Sequence, residues 1–455
     1  MSGSRRLALS AVVLALVFVA AWALVPRHGK QAAATPRNLI LISIDTLRAD
    51  HLGVYGYERD TSPALDAFAR RSVRFERAIS QGESTLPGHG AMLTSRYYGS
   101  YGSTKIPVGP PPEVDTLAEI LKGHGFATWG FVDGGFLRRA YGFDQGFEHY
   151  EDQRIKIKAN LEKVEPWLDA HAATADRFFL FVHCYDVHTP YNAPDPYGSS
   201  FVDRDYRGTF RPNAANFDAV ERQELAFGPE DLRYAIARYD GGIRHVDHWI
   251  GSFLERLERR GLLETSLVVI TSDHGEEFLE HGGFQHKKIF HYPNLHVPLI
   301  IHAPGRDART VEDPVELIDL VPTVLDLLGL PQHPGTMGRS LAKVVDGGPT
   351  DALAGHLAFA ESSLPGNGWR SVVSRQHQLL YDVSTDERRL FDLEADPTEQ
   401  HDVAGEHPEV VAQMMGVLQE RLAENARRNS GAAAKPRPID EETRRQLRAL
   451  GYVHD

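Results

Sequence analysis

The chain has 455 residues, enough for one large α/β domain or two smaller ones. Its composition is that of a globular protein, so we expect a sizeable core and no extensive disorder. A net charge of −13 argues against nucleic-acid binding, because proteins of that class present a basic surface. An anionic substrate remains compatible with this charge, since a bound cation can reverse the local electrostatic field.

The N-terminal segment combines basic residues with a long apolar stretch. Arg5 and Arg6 precede an uncharged run at residues 7–25, which is long enough to cross a bilayer as a helix. The arginines predict a cytoplasmic N-terminus, with the rest of the chain exported to the periplasm or the cell exterior. The alternative is a cleaved signal peptide and a secreted protein, because residues 21–23 offer a small-x-small cleavage site. We therefore assign residues 1–25 to a signal-anchor and 26–36 to a linker.

Short apolar runs follow, separated by helical patterns. The runs are NLILISID, ATWGFVD, FFLFVHCYD, SLVVITSDHGE and VPLIIHAPG. Continuous apolar residues are typical of strands that are buried on both faces of a mostly parallel sheet. Their alternation with amphipathic segments such as SPALDAFARRSV predicts an α/β sheet covered on both sides. Ligands bind such sheets at the carboxyl ends of the strands, where several of these runs end in Asp.

The segment STLPGHGAMLTSR, residues 84–96, has the pattern of a turn that opens a helix. Thr85 could cap this helix, with Pro87 tolerated in the first turn. Alternatively, Thr85 is a nucleophile at the helix N-terminus, where backbone N–H groups and the helix dipole favour an anion. This segment alone leaves both interpretations open.

Three residues at strand ends have side chains suited to a metal ion. Asp45 closes the first apolar run, and Asp273 and His274 close another. Carboxylates with one imidazole form a ligand set for Ca²⁺, Mg²⁺ or Mn²⁺, and the further histidines leave zinc or a second metal open. A cation that bound Thr85 as well would lower the pKa of its hydroxyl and make it a better nucleophile. For any single Asp, capping of the following helix is the alternative.

Two further segments carry candidate substrate-contacting residues. HCYDVHTPYNAP places Asp186 and His188 just after a strand, where an isolated histidine could instead be structural. HGGFQHKKIFHY suits a loop that binds an anion and supplies a proton to a leaving oxygen, although it could also be a solvated basic loop. Its basic side chains are His281, His286, Lys287, Lys288 and His291.

The predicted secondary structure changes from about residue 355. Short strands separated by turns, such as HQLLYDV and RRLFDLEAD, predict a small antiparallel sheet followed by a helix from about Glu406. NSGAAAKPRP then reads as a flexible linker before a last short helix that ends near Tyr452. The predicted domains are a catalytic domain at residues 37–350, an α+β subdomain at 351–427, and a linker with a terminal helix at 428–455.

Several of these segments resemble, in order, the motifs of the sulfatase family of the alkaline phosphatase superfamily. They are SIDTLRADHLGVYGY, STLPGHGAMLTSR, DVHTPY, YDGGIRHVD, TSDHGEEFLEHGG and VPLIIHAPG, and LRALGYV is similar to a piece of that family's C-terminal subdomain. The resemblance extends over nearly everything from Asn38 onward. It implies an alkaline-phosphatase-like three-layer sandwich with a mixed, mostly parallel sheet, a divalent metal, and attack on a sulfate or phosphate ester.

The resemblance also implies roles for individual residues. His188 resembles the family's substrate-binding histidine, and His286 falls near a catalytic lysine of sulfatases, a position for which Lys287 is a rival. The implied metal ligands are Asp45, Thr85, Asp273 and His274. The implied catalytic residues are Thr85, His89, His188 and His286, and the implied substrate-binding residues are Asp186 and Lys287.

Departures from the family pattern bear on the chemistry. Sulfatases carry Cys or Ser at the position of Thr85, oxidised to formylglycine within C-x-P-S-R, and Thr cannot become that aldehyde by the same route. His89 replaces the Arg of that motif, and Thr46 replaces a second Asp ligand, which reduces the negative charge around the metal. Thr followed by L-P-x-H resembles the branch that includes phosphodiesterases and membrane phosphoglycerol or phosphoethanolamine transferases.

We therefore predict a metal-dependent enzyme that hydrolyses or transfers a phosphate ester through Thr85. A sulfatase that uses unmodified Thr is the alternative among enzymes, and a non-catalytic exported binding protein is the alternative of another class. The expected partners are an anionic ester, such as a glycan or lipid headgroup, and the membrane through the N-terminal helix, with no nucleic acid.

Overall fold

The computed structural model describes residues 35–102, 107–172, 175–286, 290–364, 366–429, 438–450 and 452. The predicted signal-anchor at residues 1–25, most of the predicted linker and Lys287 lie outside these residues. Among the helices of the described ranges, none is both long enough and apolar enough to cross a membrane.

The main sheet is mixed and mostly parallel. Its strands are β1 (Asn38–Ile44), β2 (Val73–Ile79), β3 (Ala127–Phe131), β4 (His149–Glu151), β5 (Phe178–Cys184), β6 (Ser266–Thr271), β9 (His296–His302), β10 (Arg309–Val311) and β11 (Val315–Glu316). Between β6 and β9, a small hairpin pairs β7 (Glu277–Phe278) with β8 (Phe284–Gln285). The order across the main sheet is β10-β2-β9-β6-β1-β5-β3-β4, with β11 beside β2, and β9 runs antiparallel to both of its neighbours.

The central strands are buried on both faces, as their continuous apolar sequences predict. In β1, Leu39 and Leu41 pack into one hydrophobic core, and Ile40 and Ile42 pack into a second core on the other side. Successive strand residues point to opposite faces, so these two cores lie on the two sides of one sheet. The fold is therefore a three-layer α/β sandwich, which confirms the predicted fold class.

Helices cover both faces of this sheet. They are α1 (Pro63–Ala69), α2 (Thr85–Thr94), α3 (Leu117–Gly123), α4 (Lys156–His171), α5 (Ala214–Glu221), α6 (Pro229–Arg259), α7 (Tyr292–Leu295), α8 (Leu320–Leu327) and α9 (Ala342–Val345). Residues of α2, α3 and α8 belong to the core that contains Leu39, whereas residues of α1, α4 and α6 belong to the core that contains Ile40. This division places α2, and with it Thr85, on one side of the strand ends.

The predicted small sheet is present at the C-terminal end of the fold. Its strands β12 (Ala358–Glu361), β13 (Trp369–Val373), β14 (His377–Asp382) and β15 (Glu387–Asp392) pair antiparallel in chain order. Helix α10 (Pro408–Arg428) packs its methionines Met414 and Met415 against apolar residues of this sheet. The last helix, α11 (Glu441–Ala449), joins the main core through Leu447. The domain boundaries at residues 350 and 427 stay predictions.

Candidate active site

The carboxyl ends of two neighbouring parallel strands bring the predicted metal ligands together. Asp45 follows β1 directly, and Asp273 and His274 come just after β6, which pairs with β1. All three side chains are fully buried, and their ligand atoms lie within 4.8 Å of one another. The adjacency of β1 and β6 is therefore what assembles this cluster from residues far apart in the chain.

The cluster has the chemistry of a cation site. Asp45 Oδ1, both carboxylate oxygens of Asp273 and His274 Nε2 are buried and have no hydrogen-bond partner among the described residues. His274 Nδ1 donates to the Gly275 carbonyl at 2.9 Å, so in the neutral ring Nε2 carries the lone pair. This lone pair lies 3.5 Å from Asp273 Oδ2, a repulsive contact that a cation between the two atoms would make attractive. The residues thus fit a divalent cation.

The electrostatics of these side chains agree with that fit. Burial raises the pKa of Asp45 well above its usual range, and the Asp273 carboxylate raises it further. Burial also opposes ionisation of Asp273, but the neighbouring His274 and His89 rings hold the pKa of that carboxyl below its usual value. Burial lowers the pKa of His274 to about 4, so the ring is neutral at neutral pH and free to act as a ligand.

Thr85 is the first residue of α2, and its hydroxyl faces the cluster. Ser84 is the N-cap residue, and no described side chain caps this helix through a hydrogen bond. The Thr85 hydroxyl instead donates to Asp45 Oδ2 at 3.4 Å and lies 3.3 Å from the hydroxyl of Tyr452. A capping side chain would accept from the backbone N–H groups of the first turn. Thr85 is therefore not the side-chain cap of this helix, and its role as a nucleophile stays a prediction.

Two further buried histidines, His89 and His183, contact the residues of this cluster. His89 Nδ1 donates to the Thr85 carbonyl at 3.1 Å and lies 3.2 Å from Asp273 Oδ2, while its Nε2 lies 3.0 Å from Ser43 Oγ. These contacts position His89 between Thr85 and Asp273, and its predicted catalytic role stays a prediction. His183 Nε2 lies 3.4 Å from Asp45 Oδ2, and burial lowers the pKa of this ring well below its usual value.

A second group of side chains faces Thr85 from loops. His188 Nδ1 donates to the Thr189 carbonyl at 2.7 Å, and His286 Nδ1 donates to Glu276 Oε1 at 2.9 Å. The His188 and His286 ring centroids are 5.1 Å apart, and the Nε2 atoms of both rings reach the Tyr452 hydroxyl, at 3.1 and 2.9 Å. The structure therefore brings the predicted His188 and His286 together beside Thr85.

Asp186 lies elsewhere. Its Oδ2 accepts from the backbone N–H of Ile157 at 2.7 Å in the first turn of α4, and its Oδ1 lies 3.3 Å from His245 Nδ1. Asp133, at another strand end, accepts from the N–H groups of Ile155 and Lys156 in the same turn. Both carboxylates stabilise the N-terminus of α4. These contacts indicate a structural role for Asp186, and the structure does not bring its carboxylate to the Thr85 cluster; substrate binding by Asp186 stays an untested prediction.

Among the described residues, two other clusters contain enough histidine and carboxylate side chains to hold a metal. In the first, Glu316 already accepts from Tyr97, His356 and the Phe359 amide, so its charge is satisfied by protein groups. In the second, the His281 and His291 rings stack at 3.3 Å with 6° between their planes, next to Glu399. Lone pairs in two parallel ring planes do not converge on one point, so this geometry does not support a second metal.

Comparisons with known proteins identify the family of the chain. The model of the sulfatase family matches residues 37–330, and that of the C-terminal part of N-sulphoglucosamine sulphohydrolase matches residues 279–428. The chain is 26% identical over 439 residues to an ulvan-active sulfatase of Formosa agariphila, covering 87% of this chain and 83% of the relative. The chain therefore belongs to the sulfatase family, in the alkaline phosphatase-like superfamily, and is a hydrolase of that family.

Solved structures share the fold at lower identity. A protein in complex with its substrate D-glucosamine-2-N,6-O-disulfate has a TM-score of 0.70 at 18% identity, covering 88% of this chain and 99% of that protein. A phosphonate monoester hydrolase from Silicibacter pomeroyi has a TM-score of 0.68 at 21% identity, covering 89% of this chain and 98% of that one. At these identities the likeness shows the fold, and the family typically binds a divalent metal at such a site.

Proposed function

We propose that this protein hydrolyses a sulfate ester with Thr85 as the nucleophile. The observation that carries the proposal is the Thr85 hydroxyl at a helix N-terminus, 3.4 Å from a carboxylate of the buried ligand cluster. The choice of a sulfate ester rests on the relatives: one is an ulvan-active sulfatase, and a structural neighbour was solved in complex with a disulfated sugar. The apolar run at residues 7–25 is consistent with an exported, membrane-anchored enzyme, and the disulfated sugar bound by the structural neighbour is the basis for proposing an anionic glycan ester as substrate.

Asp45, Asp273, His274 and Thr85 would hold the cation. When bound, it would lower the pKa of the Thr85 hydroxyl and offset the negative charge of the ester. Thr85 reacts as its alkoxide, its proton having been released to solvent: a bond forms between Oγ1 and the sulfur, and the bond from sulfur to the leaving oxygen breaks. Water then attacks the sulfur of the sulfated Thr85, the bond from sulfur to Oγ1 breaks, and inorganic sulfate leaves with Thr85 again as the alkoxide.

His286 has the geometry of the general acid. Its Nδ1 donates to Glu276, and Glu276 is itself fixed by a hydrogen bond of 2.9 Å from the Tyr191 hydroxyl. A carboxylate in this position stabilises the charged imidazolium, whose Nε2 proton passes to the leaving oxygen. The same nitrogen then accepts a proton from the attacking water. His188, whose Nδ1 proton is committed to the Thr189 carbonyl, presents an accepting Nε2 to the site.

A phosphate or phosphonate ester is the second candidate, and one specific residue favours it. Thr85 is a plain hydroxyl, so its sulfate ester lacks the hemiacetal route by which a formylglycine enzyme releases sulfate. A phosphorylated threonine needs no such route, since water or an acceptor can attack its phosphorus. The comparisons do not confirm this phosphate-ester prediction, and they support the sulfate alternative better.

The two candidates are separated by esters with one common leaving group. The protein, supplied in turn with Ca²⁺, Mg²⁺ or Mn²⁺, would be assayed on p-nitrophenyl sulfate, p-nitrophenyl phosphate, bis-p-nitrophenyl phosphate and p-nitrophenyl phenylphosphonate. We expect the highest kcat/KM for the sulfate ester. A higher value for any phosphorus ester would overturn the sulfate proposal in favour of the second candidate. No turnover of any ester by folded, metal-loaded protein would support the non-catalytic alternative.

A further inference from the structure

The hydroxyl of Tyr452 lies among the reacting groups of the candidate active site. It is 3.3 Å from Thr85 Oγ1, 3.1 Å from His188 Nε2 and 2.9 Å from His286 Nε2. Tyr452 is 367 residues away from Thr85 along the chain and follows the last helix, α11. None of the roles proposed above for Thr85, His188 and His286 accounts for a tyrosine at this point.

The position of Tyr452 is fixed by the docking of α11. Gln446 of this helix accepts a hydrogen bond of 3.0 Å from the backbone N–H of Gly135, at the rim of the site. The Tyr452 N–H donates to the Leu447 carbonyl at 2.9 Å, which ties the residue back to the helix. The Tyr452 ring then packs edge-on against Phe136 with centroids 4.6 Å apart. Its hydroxyl is therefore held in place by the packing of a whole helix.

The hydrogen bonds of this hydroxyl match those of a substrate oxygen. A phenol donates one hydrogen bond and accepts two. His188 Nε2 carries a lone pair, because Nδ1 donates to Thr189, so this nitrogen accepts from the phenol. The imidazolium form of His286 can donate to the phenol oxygen, and the Thr85 hydroxyl can do so in place of its hydrogen bond to Asp45 Oδ2. A bound ester must contact the same nucleophile, Thr85, and the same general acid, His286. An ester oxygen and the Tyr452 hydroxyl cannot both occupy the position between these two residues.

We propose that Tyr452 is an active-site residue whose hydroxyl fills an ester-oxygen position until the substrate displaces it. The inference rests on the proposed function, and it deepens that function because it adds a residue that sets the affinity for the ester. Binding exchanges the three hydrogen bonds of Tyr452 for those of the substrate. Tyr452 therefore competes with every oxyanion that enters the site, whether sulfate or phosphate.

Tyr452→Phe tests the competition, because it removes the hydroxyl and keeps the ring that packs on Phe136. Inorganic sulfate and inorganic phosphate would be titrated separately into the protein by calorimetry, with Ca²⁺, Mg²⁺ or Mn²⁺ present in turn. We expect the Kd of the preferred oxyanion to fall by about 2- to 10-fold, the range for net loss of a competing hydrogen bond. Tyr381→Phe, which removes a hydroxyl from β14 of the small sheet, is the matched control and should leave Kd unchanged.

A second variant acts through the helix. Gln446→Ala removes the hydrogen bond to Gly135 and loosens α11, so it should also tighten oxyanion binding while Tyr452 stays intact. An unchanged or weaker affinity in Tyr452→Phe would overturn the proposal and would show that the hydroxyl assists binding or plays no part. This readout needs no turnover. A protein that prefers phosphorus esters would contradict the sulfate proposal and still test the competition through phosphate binding.

Discussion

Gly88, in the first turn of α2, packs directly against the backbone of Asp273. A Cβ atom at Gly88 would lie 2.3 Å from the Asp273 carbonyl oxygen and 3.0 Å from the Asp273 Cβ. The Ser80 hydroxyl also donates to this carbonyl, which fixes it further. The absence of a side chain at Gly88 is therefore what lets the start of the helix, and Thr85 with it, approach the predicted metal ligands.

Gly88→Ala should damage both the fold and the metal site. Because the clash is with backbone and not with a flexible side chain, we expect a loss of about 1–3 kcal/mol in the free energy of unfolding, together with reduced metal content. Thermal unfolding and elemental analysis of the purified protein measure the two effects. Gly416→Ala in α10, where no described atom lies within 4 Å of the new Cβ, is the control and should be neutral or stabilising. Full metal content in Gly88→Ala would contradict this explanation.

Asp273→Ala should abolish cation binding. Both Asp273 oxygens are buried without a described hydrogen-bond partner. Removing them takes a charged ligand out of the cluster, and a neutral water molecule cannot readily replace that charge. We expect metal content near zero and a fall in activity on the order of a thousandfold, the cost of losing a main electrostatic stabiliser. Asp133→Ala removes an equally buried strand-end carboxylate that stabilises α4, and it should keep its metal. Stoichiometric metal in Asp273→Ala would show that the ligand assignment is wrong.

The central strands of the sheet were predictable from the sequence, whereas β2, β4, β10, β11 and the strand order were not predicted. Continuous apolar runs such as β1 and β6 have one compatible environment, the middle of a covered sheet, and their ends carry the polar residues. Adjacent parallel strands place those ends side by side, so the meeting of Asp45, Asp273 and His274 followed from the strand pattern together with the family resemblance.

The rest of the site depends on tertiary contacts, which short sequence patterns do not predict. His183 lies inside the apolar run of β5, where the sequence gives no sign that its ring touches Asp45. Asp186 and His188 are two residues apart in one loop, but their side chains point in different directions. His188 contacts the Tyr452 hydroxyl, and Asp186 accepts from the first turn of α4. The role of Tyr452 depends on where α11 docks, a contact across almost the whole chain.

Glu399 gives the protein a pH-dependent stability that is independent of the active site. Burial raises the pKa of this carboxyl to about 8 from an ordinary value of 4.5. The folded protein therefore prefers protonated Glu399. This preference stabilises the fold fully below about pH 4.5 and is lost as pH rises to about 8, with one pKa unit equivalent to about 1.4 kcal/mol.

Glu399→Gln mimics the protonated form and should remove this loss. We expect the variant to gain stability over the native protein as pH rises from 5 to 8, with no further gain above that range. Chemical denaturation at several pH values measures the difference. Glu420→Gln, at an exposed position of α10, should show no such trend. A difference that stays constant with pH would mean that Glu399 is ionised in the folded protein.

The His286–Glu276 pair should matter most for esters with poor leaving groups. A p-nitrophenolate needs little protonation as it departs, whereas an alkoxide of a sugar or alkyl ester needs a proton from the general acid. We therefore expect His286→Ala and Glu276→Gln to lower kcat/KM more for an alkyl ester than for the p-nitrophenyl ester of the same acid. The comparison uses native protein and variants on both esters. Equal losses on the two esters would assign His286 to substrate binding instead.

Two substitutions distinguish a role of Thr85 as the nucleophile from a purely structural role. Thr85→Ala removes the hydroxyl, and we expect a folded, inactive protein, because this helix gains no side-chain cap from Thr85. Thr85→Ser keeps the hydroxyl and should retain part of the activity. Rapid quenching of the native enzyme with substrate should trap a covalent adduct on Thr85, located by peptide mass spectrometry. A cap is worth only about 1 kcal/mol of stability. An active Thr85→Ala with a lowered melting temperature would therefore return Thr85 to a purely structural role.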